Sequence, residues 1–216
     1  MEPQQKTAAV KRHFDRVASR YDLMNTILSF GLHHLWKRRA VGLLGLTPGE
    51  RVIDVCGGTG DLARLAAPQV GPTGGFILYD INRAMMLAGH DKVNQAGFHQ
   101  RVWLVEGDAE SLAVADSRLD AALVGFGVRN LARMDEGLRE MHRVLKPRGR
   151  LVILEFSRPT NPLWRWLYDR YSFLIMPRLG QLIAGSREAY TYLTTSIRQF
   201  PLPEEVADLL RHIGFT

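Results

Sequence analysis

The sequence predicts an α/β fold built on a doubly wound, mostly parallel sheet with helices on both faces. Five apolar runs have the length and composition of buried strands, at residues 51–55, 76–79, 102–105, 119–124 and 151–154. Helical patterns lie between them at about 61–69, 83–95 and 133–145. Connections of this length allow successive strands to run parallel, with right-handed crossovers.

The segments outside the sheet are predicted to be helical. At the N-terminus, helices are expected at 7–22 and at about 33–45, before the turn Thr47-Pro48-Gly49. Residues 156–200 are rich in aromatic residues and are predicted to form a helical insertion over one end of the sheet. A last helix is expected at 203–212. We therefore predict a single domain, 1–216, with N-terminal helices 1–46 and the insertion forming a cap over a substrate site.

The composition is that of a globular protein of one domain. Of the 216 residues, 46% are hydrophobic and 23% are charged. The N-terminus lacks the apolar stretch of a secretory signal, and the single cysteine, Cys56, fits a reducing compartment. The chain is therefore predicted to be cytoplasmic. The formal net charge of +6 is consistent with binding to an anionic membrane surface or to nucleic acid, and also with a charge that serves only solubility.

A glycine-rich turn after the first predicted strand predicts a nucleoside site. The turn contains Gly57, Gly58, Thr59 and Gly60, and it is preceded by Asp54. Glycines let the backbone pass close to a ligand, and the N-terminus of the helix that follows offers free N–H groups. Asp80 ends the second strand, where a carboxylate can accept both ribose hydroxyls. Asp108 and Ala109 follow the third strand, within reach of an adenine.

The same glycine turn also matches the dinucleotide pattern G-x-G-x-x-A, so a nicotinamide cofactor is the alternative. Asp54 inside the strand, the acidic loop at Asp108 and the turn at 145–150 favour S-adenosylmethionine instead. The turn, LKPRGR, looks like the LKPGG of class I methyltransferases. S-adenosylmethionine, with S-adenosylhomocysteine as the product, is the predicted cofactor, and no metal is predicted.

Five segments carry a more specific resemblance. They are FDRVASRYDLMN at 14–25, SFGLHHLWK at 29–37, FGVRN at 126–130, LEFS at 154–157 and AYTYLTTSIR at 189–198. Together they resemble the quinone C-methyltransferases of the ubiquinone and menaquinone pathways, along nearly the whole chain. The resemblance implies methylation of a ring carbon of a prenylated quinol, and cofactor contacts at Thr59, Asp80, Asp108 and Ala109. We favour demethylmenaquinol as the substrate, with a ubiquinone-pathway benzoquinol as the alternative.

The chemistry needs a group that stabilises or accepts charge at a ring hydroxyl. Arg129 is the predicted stabiliser of a phenolate, and Asn130 and Tyr21 are predicted to orient ring oxygens. His33, or its neighbour His34, has a suitable pKa for accepting a proton. Each residue also has a structural interpretation: Tyr21 in the core, the histidines structural or exposed, and Arg129 in an ion pair that tethers a loop.

The aromatic insertion suits a prenylated substrate. Its apolar side chains could line a channel for the tail, namely Trp164, Trp166, Leu167, Tyr171, Phe173, Leu174 and Ile175. Arg165, Arg170 and Arg178 could face lipid head groups, which would place the protein at the inner face of the membrane. The alternative is that these aromatics form the core of the cap. The chain is also expected to form a homodimer, and it is not expected to bind nucleic acid.

The chain is expected to lack two antiparallel strands, because a Gly-Phe pair such as Gly214-Phe215 precedes such a hairpin in class I methyltransferases. Without these strands, the stability of the fold would fall more than the affinity for the cofactor. Two other functions are less favoured. A non-catalytic scaffold of a quinone-synthesis complex is disfavoured by the retained Asp54, Asp80 and Asp108, and an RNA methyltransferase by the absence of an RNA-binding motif.

Overall fold

The sheet is the centre of the fold. The computed structural model describes residues 2–95 and 102–216. Its five strands all run parallel, in the order β3-β2-β1-β4-β5. They are β1 Arg51–Val55, β2 Gly75–Asp80, β3 Val102–Glu106, β4 Leu119–Gly125 and β5 Leu145–Leu154. The predicted doubly wound α/β fold is confirmed, and the order reverses between β1 and β4, where such sheets bind ligands.

Ten α-helices are found in the described part of the chain. They are α1 Pro3–Val17, α2 Tyr21–Leu28, α3 Leu32–Leu44, α4 Asp61–Ala66, α5 Arg83–Gln95, α6 Met134–Val144, α7 Pro162–Arg170, α8 Met176–Ala184, α9 Arg187–Gln199 and α10 Pro203–Ile213. A π-helical turn, Tyr171–Ile175, joins α7 to α8. The helices predicted before the sheet and within the insertion are thus present.

The first predicted helix has the wrong bounds. A single helix was expected at 7–22, but α1 ends at Val17 and the 3₁₀ turn Ala18–Arg20 leads into α2. The backbone at Arg20 leaves the helical region, with φ −119° and ψ 4°. The apolar spacing continues through this break because Val17 and Met24 are both buried in one cluster, which also contains Tyr190 of α9. Burial of two helices in one cluster explains a periodicity that suggested a single helix.

The strands are apolar on both faces because helices cover both. On one face, Ile53, Val55 and Val124 pack against Leu138 and Met141 of α6. On the other, Val52, Leu78 and Leu123 pack with residues of α3, α4 and α5. Burial on both faces explains why the parallel strands read as continuous apolar runs.

The last strand begins earlier than predicted. It was expected at 151–154, but β5 starts at Leu145, which pairs with Leu119 before the register shifts at Ala121–Arg150. The LKPRGR turn therefore lies inside the strand as an irregularity. Arg148 stands there with φ +66°, in the left-handed region that favours glycine. No helix within the described ranges is long and apolar enough to cross a membrane.

Candidate active site

A cavity lies at the carboxyl ends of β1, β2 and β4, beneath helix α1. Its empty volume is about 740 Å³, including the open solvent at its mouth. Side chains of α1 form its roof, and these include Val10, Lys11 and Phe14. Gly58, Asp80, Asp108 and Ala109, four of the predicted cofactor residues, also line it. The structure therefore brings together turns that are far apart in the sequence, at the point where the strand order reverses.

Asp80 holds the glycine turn in place. One carboxylate oxygen accepts a hydrogen bond from the N–H of Gly58 at 2.8 Å, and the other accepts from Asn82 N–H at 2.7 Å. Burial raises the pKa of Asp80, while these backbone donors favour its ionised form. Because it lines the cavity, Asp80 can offer its remaining lone pairs to a ligand's hydroxyl groups.

Asp54 is a buried carboxylate behind the glycine turn. It is fully buried, and neither oxygen has a hydrogen-bond partner in the described structure. Burial raises the pKa of Asp54 well above its usual range, and the negative charge of Asp80 adds to the effect. A cationic ligand group would offset this cost. The residues present therefore fit S-adenosylmethionine, which carries a sulfonium and an ammonium group.

Gly57 and Gly60 of the glycine turn leave no room for a side chain, because the backbone there lies close to Asp54, Leu78 and α5. A Cβ on Gly57 would lie 3.0 Å from the Asp54 carbonyl oxygen and 3.0 Å from Leu78 Cγ. Gly60 has φ +72° and caps α4. Cys56, just before the turn, has φ +56° although it carries a side chain. Strained backbone at a non-glycine residue is typical of ligand sites.

The loop after β3 forms another wall of the cavity. Asp108 accepts a hydrogen bond from Glu110 N–H at 2.9 Å, and Ala109 is buried beside it. Gly107 lets this loop approach β2, because a Cβ there would lie 2.0 Å from the hydroxyl oxygen of Tyr79. Asp108 and Ala109 therefore lie on the same cavity as Asp80, as predicted for residues that contact an adenine.

Thr59 faces a different neighbour. Its hydroxyl donates to Asp22 of α2 at 2.8 Å, and Asp22 also pairs with Lys92 of α5. Lys92 and Lys37 both bind Asp61, at 2.9 and 2.7 Å. Burial alone would raise the pKa of Asp61, but the two ammonium groups bring it down to about 2. Sequence reasoning missed this network, which ties α2 and α3 to the glycine turn.

Helix α1 is fastened over the cavity at several points. The side-chain amide of Asn82 donates to Asp15 at 2.9 Å and to the carbonyl oxygen of Lys11 at 3.2 Å. Near the other end of the helix, Lys6 donates to the carbonyl oxygen of Leu131 at 2.5 Å. The roof is thereby joined to the loops after β2 and β4.

A second cavity adjoins the first. Its empty volume is about 520 Å³, and the two cavities share Phe14, Tyr21 and Phe126. Its other walls include His13 of α1, Phe156, and Tyr190 and Tyr192 of α9. The rings of Phe126 and Phe156 stack with their centroids 4.5 Å apart. This aromatic lining suits a flat ring held next to a cofactor in the first cavity.

The predicted catalytic residues Arg129, Asn130 and Tyr21 all lie at these cavities. Arg129 lines the second, Asn130 the first and Tyr21 both. The Asn130 side chain is held at both ends: its oxygen accepts from the Tyr192 hydroxyl at 3.1 Å, and its nitrogen donates to the Phe126 carbonyl oxygen at 3.3 Å. Burial raises the pKa of the Tyr21 hydroxyl, which keeps it protonated and able to donate.

Arg129 forms a buried ion pair that sequence reasoning did not assign to a partner. Its guanidinium binds Glu155 at 2.6 Å, and both side chains are about 4% exposed. It also donates to the Phe126 carbonyl oxygen at 2.7 Å, while its Nε has no partner in the described chain. Arg129 thus combines the two predicted interpretations: it tethers the loop after β4, and its charge lies at the wall of the second cavity.

His33 lies away from both cavities. It is buried in α3, and its Nδ1 lies 2.9 Å from the hydroxyl oxygen of Ser29. Burial lowers its pKa to about 4, and the Lys37 ammonium adds to the effect. His33 is not among the residues that line either cavity. No cluster of three or more metal-binding side chains occurs among the residues that the structure describes.

We expect Gly89→Ala to weaken cofactor binding. Gly89 lies in α5, and a Cβ there would stand 2.8 Å from the Thr59 carbonyl carbon and 3.0 Å from the Gly58 carbonyl oxygen. Because these are backbone atoms, the glycine turn has to shift, at a cost of about 1–3 kcal/mol. Calorimetric titration with S-adenosylmethionine should show an affinity lower by about tenfold or more.

Gly42→Ala in α3 is the matched control for Gly89→Ala. A Cβ at Gly42 meets nothing within 4 Å, so the affinity should stay at the wild-type value. Equal affinities for Gly89→Ala and the wild type would show that the turn is not constrained by its contact with α5.

The fold is that of class I S-adenosylmethionine-dependent methyltransferases. A sequence model of the ubiE/COQ5 methyltransferase family matches residues 2–216, and the chain belongs to that family.

Curated relatives agree with this assignment, and a solved structure has a similar fold. The chain is 47% identical to the ubiquinone/menaquinone biosynthesis C-methyltransferase UbiE of Ectopseudomonas mendocina (strain ymp) over 98% of this chain and 82% of that protein. UbiE of Pseudomonas putida (strain GB-1) is 46% identical over the same shares. The fold is similar to a Thermotoga maritima SAM-dependent methyltransferase, a possible histamine N-methyltransferase, with a TM-score of 0.66 at 21% identity, covering 96% and 81% of the two chains.

Proposed function

We propose that this chain transfers the methyl group of S-adenosylmethionine to a ring carbon of a prenylated quinol, and that demethylmenaquinol is its substrate. The observation that carries the proposal is the pair of cavities that share Phe14, Tyr21 and Phe126. A cofactor in the first cavity and an aromatic ring in the second would meet at these residues. The names of the UbiE relatives support the same class of substrate.

The cofactor, when bound, supplies an electrophilic methyl group. In this proposal Asp80 accepts hydrogen bonds from the ribose hydroxyls, and Asp108 and Ala109 contact the adenine. The unpartnered Asp54 carboxylate offsets the positive charge of the cofactor from behind the glycine turn. Gly57, Gly58, Thr59 and Gly60 form that turn and contact the cofactor. Helix α1 covers the cavity and excludes water, which favours transfer to the quinol over hydrolysis.

The quinol is oriented by residues on the second cavity. Tyr21 and Asn130 hold ring oxygens by hydrogen bonds, and the Asn130 amide is itself fixed by Tyr192. The Arg129 guanidinium stabilises negative charge on a ring oxygen as the carbon attacks. Because Glu155 partly neutralises Arg129, the site favours a phenolate that develops during the reaction over one that is bound fully ionised.

A bicyclic naphthoquinol suits the stacked aromatic wall of Phe126 and Phe156 better than a monocyclic benzoquinol, because it offers a larger flat face. The test is a competition assay with short-tailed demethylmenaquinol and 2-polyprenyl-6-methoxy-1,4-benzoquinol, both kept reduced. We expect kcat/KM to be at least tenfold higher for the naphthoquinol. A preference for the benzoquinol would overturn the choice of substrate, and no methylation of either would favour a scaffold role.

We also propose that the helical insertion contacts an anionic membrane surface, where a prenylated quinol resides. Two of its tryptophans lie largely in the open, because Trp164 is 65% exposed and Trp166 53% exposed. Leu163, Leu167, Phe173, Leu174 and Ile175 are exposed with them. Arg165, Arg170 and Arg178 are exposed on the same segment. Apolar side chains beside cations are typical of segments that lie in a bilayer interface.

The membrane proposal is tested by flotation with phosphatidylglycerol–phosphatidylcholine vesicles. Trp164→Ser with Trp166→Ser should reduce vesicle binding at least tenfold. Trp103→Ser is the matched control, since Trp103 is 55% exposed on the edge strand β3, outside the insertion. Equal binding of the double variant and the wild type would overturn the proposal.

A further inference from the structure

His13 is a titratable side chain that lines the second cavity and has no role in the function proposed above. It lies on α1 and lines the cavity together with Tyr21 and Arg129. Its ring stacks on Tyr192, with the centroids 5.1 Å apart and an angle of 25° between the planes. Its Nδ1 is buried and has no hydrogen-bond partner in the described chain. A buried ring nitrogen without a partner can receive a hydrogen bond from a ligand.

The other ionisable groups that line this cavity are poor proton acceptors near neutral pH. Tyr21, Tyr190 and Tyr192 are phenols, and burial raises the pKa of each, so all three stay protonated. Arg129 is a cation that binds Glu155. Asn25 carries an amide, which does not accept a proton. Among the described side chains that line the cavity, His13 is therefore the one neutral base.

We propose that His13 is the proton acceptor of the methylation, taking the proton of a quinol hydroxyl on its Nδ1. The inference rests on the proposed function. It adds a residue to Arg129, Asn130 and Tyr21, and it supplies the base that these three lack.

The quinol O–H bond breaks and its proton moves to Nδ1, while the electron pair stays on oxygen and makes the ring carbon more nucleophilic. That carbon forms a C–C bond to the methyl group, and the pair of the broken S–C bond goes to sulfur. The ring proton at the methylated carbon is then lost to water, and His13 returns its proton to the oxygen. One proton is released in total.

Burial keeps His13 neutral at the pH of the cell. Burial lowers its pKa below the usual 6.5; the Glu188 carboxylate of α9 opposes this, while Arg16 and Arg12 of α1 reinforce it. Across the cavity stand the Arg129 cation and the protonated phenols of Tyr21, Tyr190 and Tyr192. Because the folded pKa is lowered, the base is available throughout the neutral range, and activity should fall only as the pH drops through that pKa.

The test compares the pH profiles of kcat/KM for the wild type, His13→Asn and His13→Gln, with a short-tailed demethylmenaquinol as substrate. At pH 7 both variants should be slower by about 100-fold, the typical contribution of a positioned base. Their rates should rise about tenfold per pH unit as the quinol ionises unaided, whereas the wild type should be flat above neutrality. His212→Asn, the same change on an exposed helix, should behave as the wild type.

A second measurement needs no turnover. The absorbance of bound 1-naphthol, with S-adenosylhomocysteine present, should report ionisation at a higher pH in the wild type than in His13→Asn, because a hydroxyl that donates to a neutral imidazole is stabilised in its protonated form. Equal naphthol titrations, or a His13→Asn rate within threefold of the wild type with the same acid limb, would overturn the role of His13. A wild type that methylates no quinol would overturn the proposed function, and the naphthol titration would still decide the role of His13.

Discussion

Glu155→Gln should lower the free energy of unfolding by about 3–5 kcal/mol, the usual cost of leaving a buried charge without its partner. Glu155 binds the Arg129 guanidinium at 2.6 Å and also accepts from Phe156 N–H at 2.8 Å. Both members of the pair are almost fully buried, so water cannot solvate the Arg129 cation once the charge of Glu155 is lost. In a chain of this size the melting temperature should fall by about 10 °C, as measured by scanning calorimetry.

Glu188→Gln is the matched control for this change. Glu188 pairs with Arg16 at 2.8 Å, but the two side chains are 68% and 57% exposed, so water screens the pair. Pairs of this kind contribute about 0–1 kcal/mol, and the melting temperature should hardly change. A similar small change for both variants would show that the Arg129–Glu155 pair does not stabilise the loop after β4.

Asp80→Asn should reduce the affinity for S-adenosylmethionine by about 100-fold or more. The substitution keeps the shape and one acceptor oxygen, but it removes the charge that strengthens the hydrogen bonds to ligand hydroxyls. Hydrogen bonds to a charged group contribute about 1.5–3 kcal/mol each, and two are expected. Burial raises the pKa of Asp80, so wild-type affinity should fall as the pH is lowered, at a higher pH than for an exposed aspartate.

Asp120→Asn is the control for Asp80→Asn. Asp120 also accepts from a backbone N–H, that of Arg51 at 2.9 Å, but it lies at the opposite end of the sheet. Its replacement should leave the calorimetric affinity unchanged. If Asp80→Asn bound the cofactor as tightly as the wild type does, the cofactor would not be held by the end of β2.

Much of the fold could be predicted because its signals are local. The strand at Arg51–Val55 and the helix at Arg83–Gln95 have the predicted bounds, since apolar runs and helical periodicity report burial directly. The turns predicted to hold the cofactor lie close together, because parallel strands place their carboxyl ends at one edge of the sheet. Asp80 and Asp108 therefore line one cavity although they are 28 positions apart in the sequence.

The contacts between distant segments could not be predicted. The pairing of Asp22 with Lys92 and Thr59 requires knowing how α2 lies on α5, and no local pattern encodes that. The same holds for the stacking of His13 on Tyr192, which lie on α1 and α9. His33 was chosen for its intrinsic pKa, a property that says nothing of whether the side chain faces a cavity. Its catalytic role stays a prediction that the geometry does not favour.

In the proposed reaction, the methyl group passes from a cofactor in the first cavity to a ring in the second. The most direct test is a single-turnover reaction with S-adenosylmethionine carrying a ¹³C-labelled methyl group and reduced, short-tailed demethylmenaquinol, followed by NMR of the product. We predict one labelled methyl bound to a ring carbon, formed by the wild type and strongly reduced in Asp80→Asn. A label on a ring oxygen, or labelled product at equal rates with Asp80→Asn, would contradict the account.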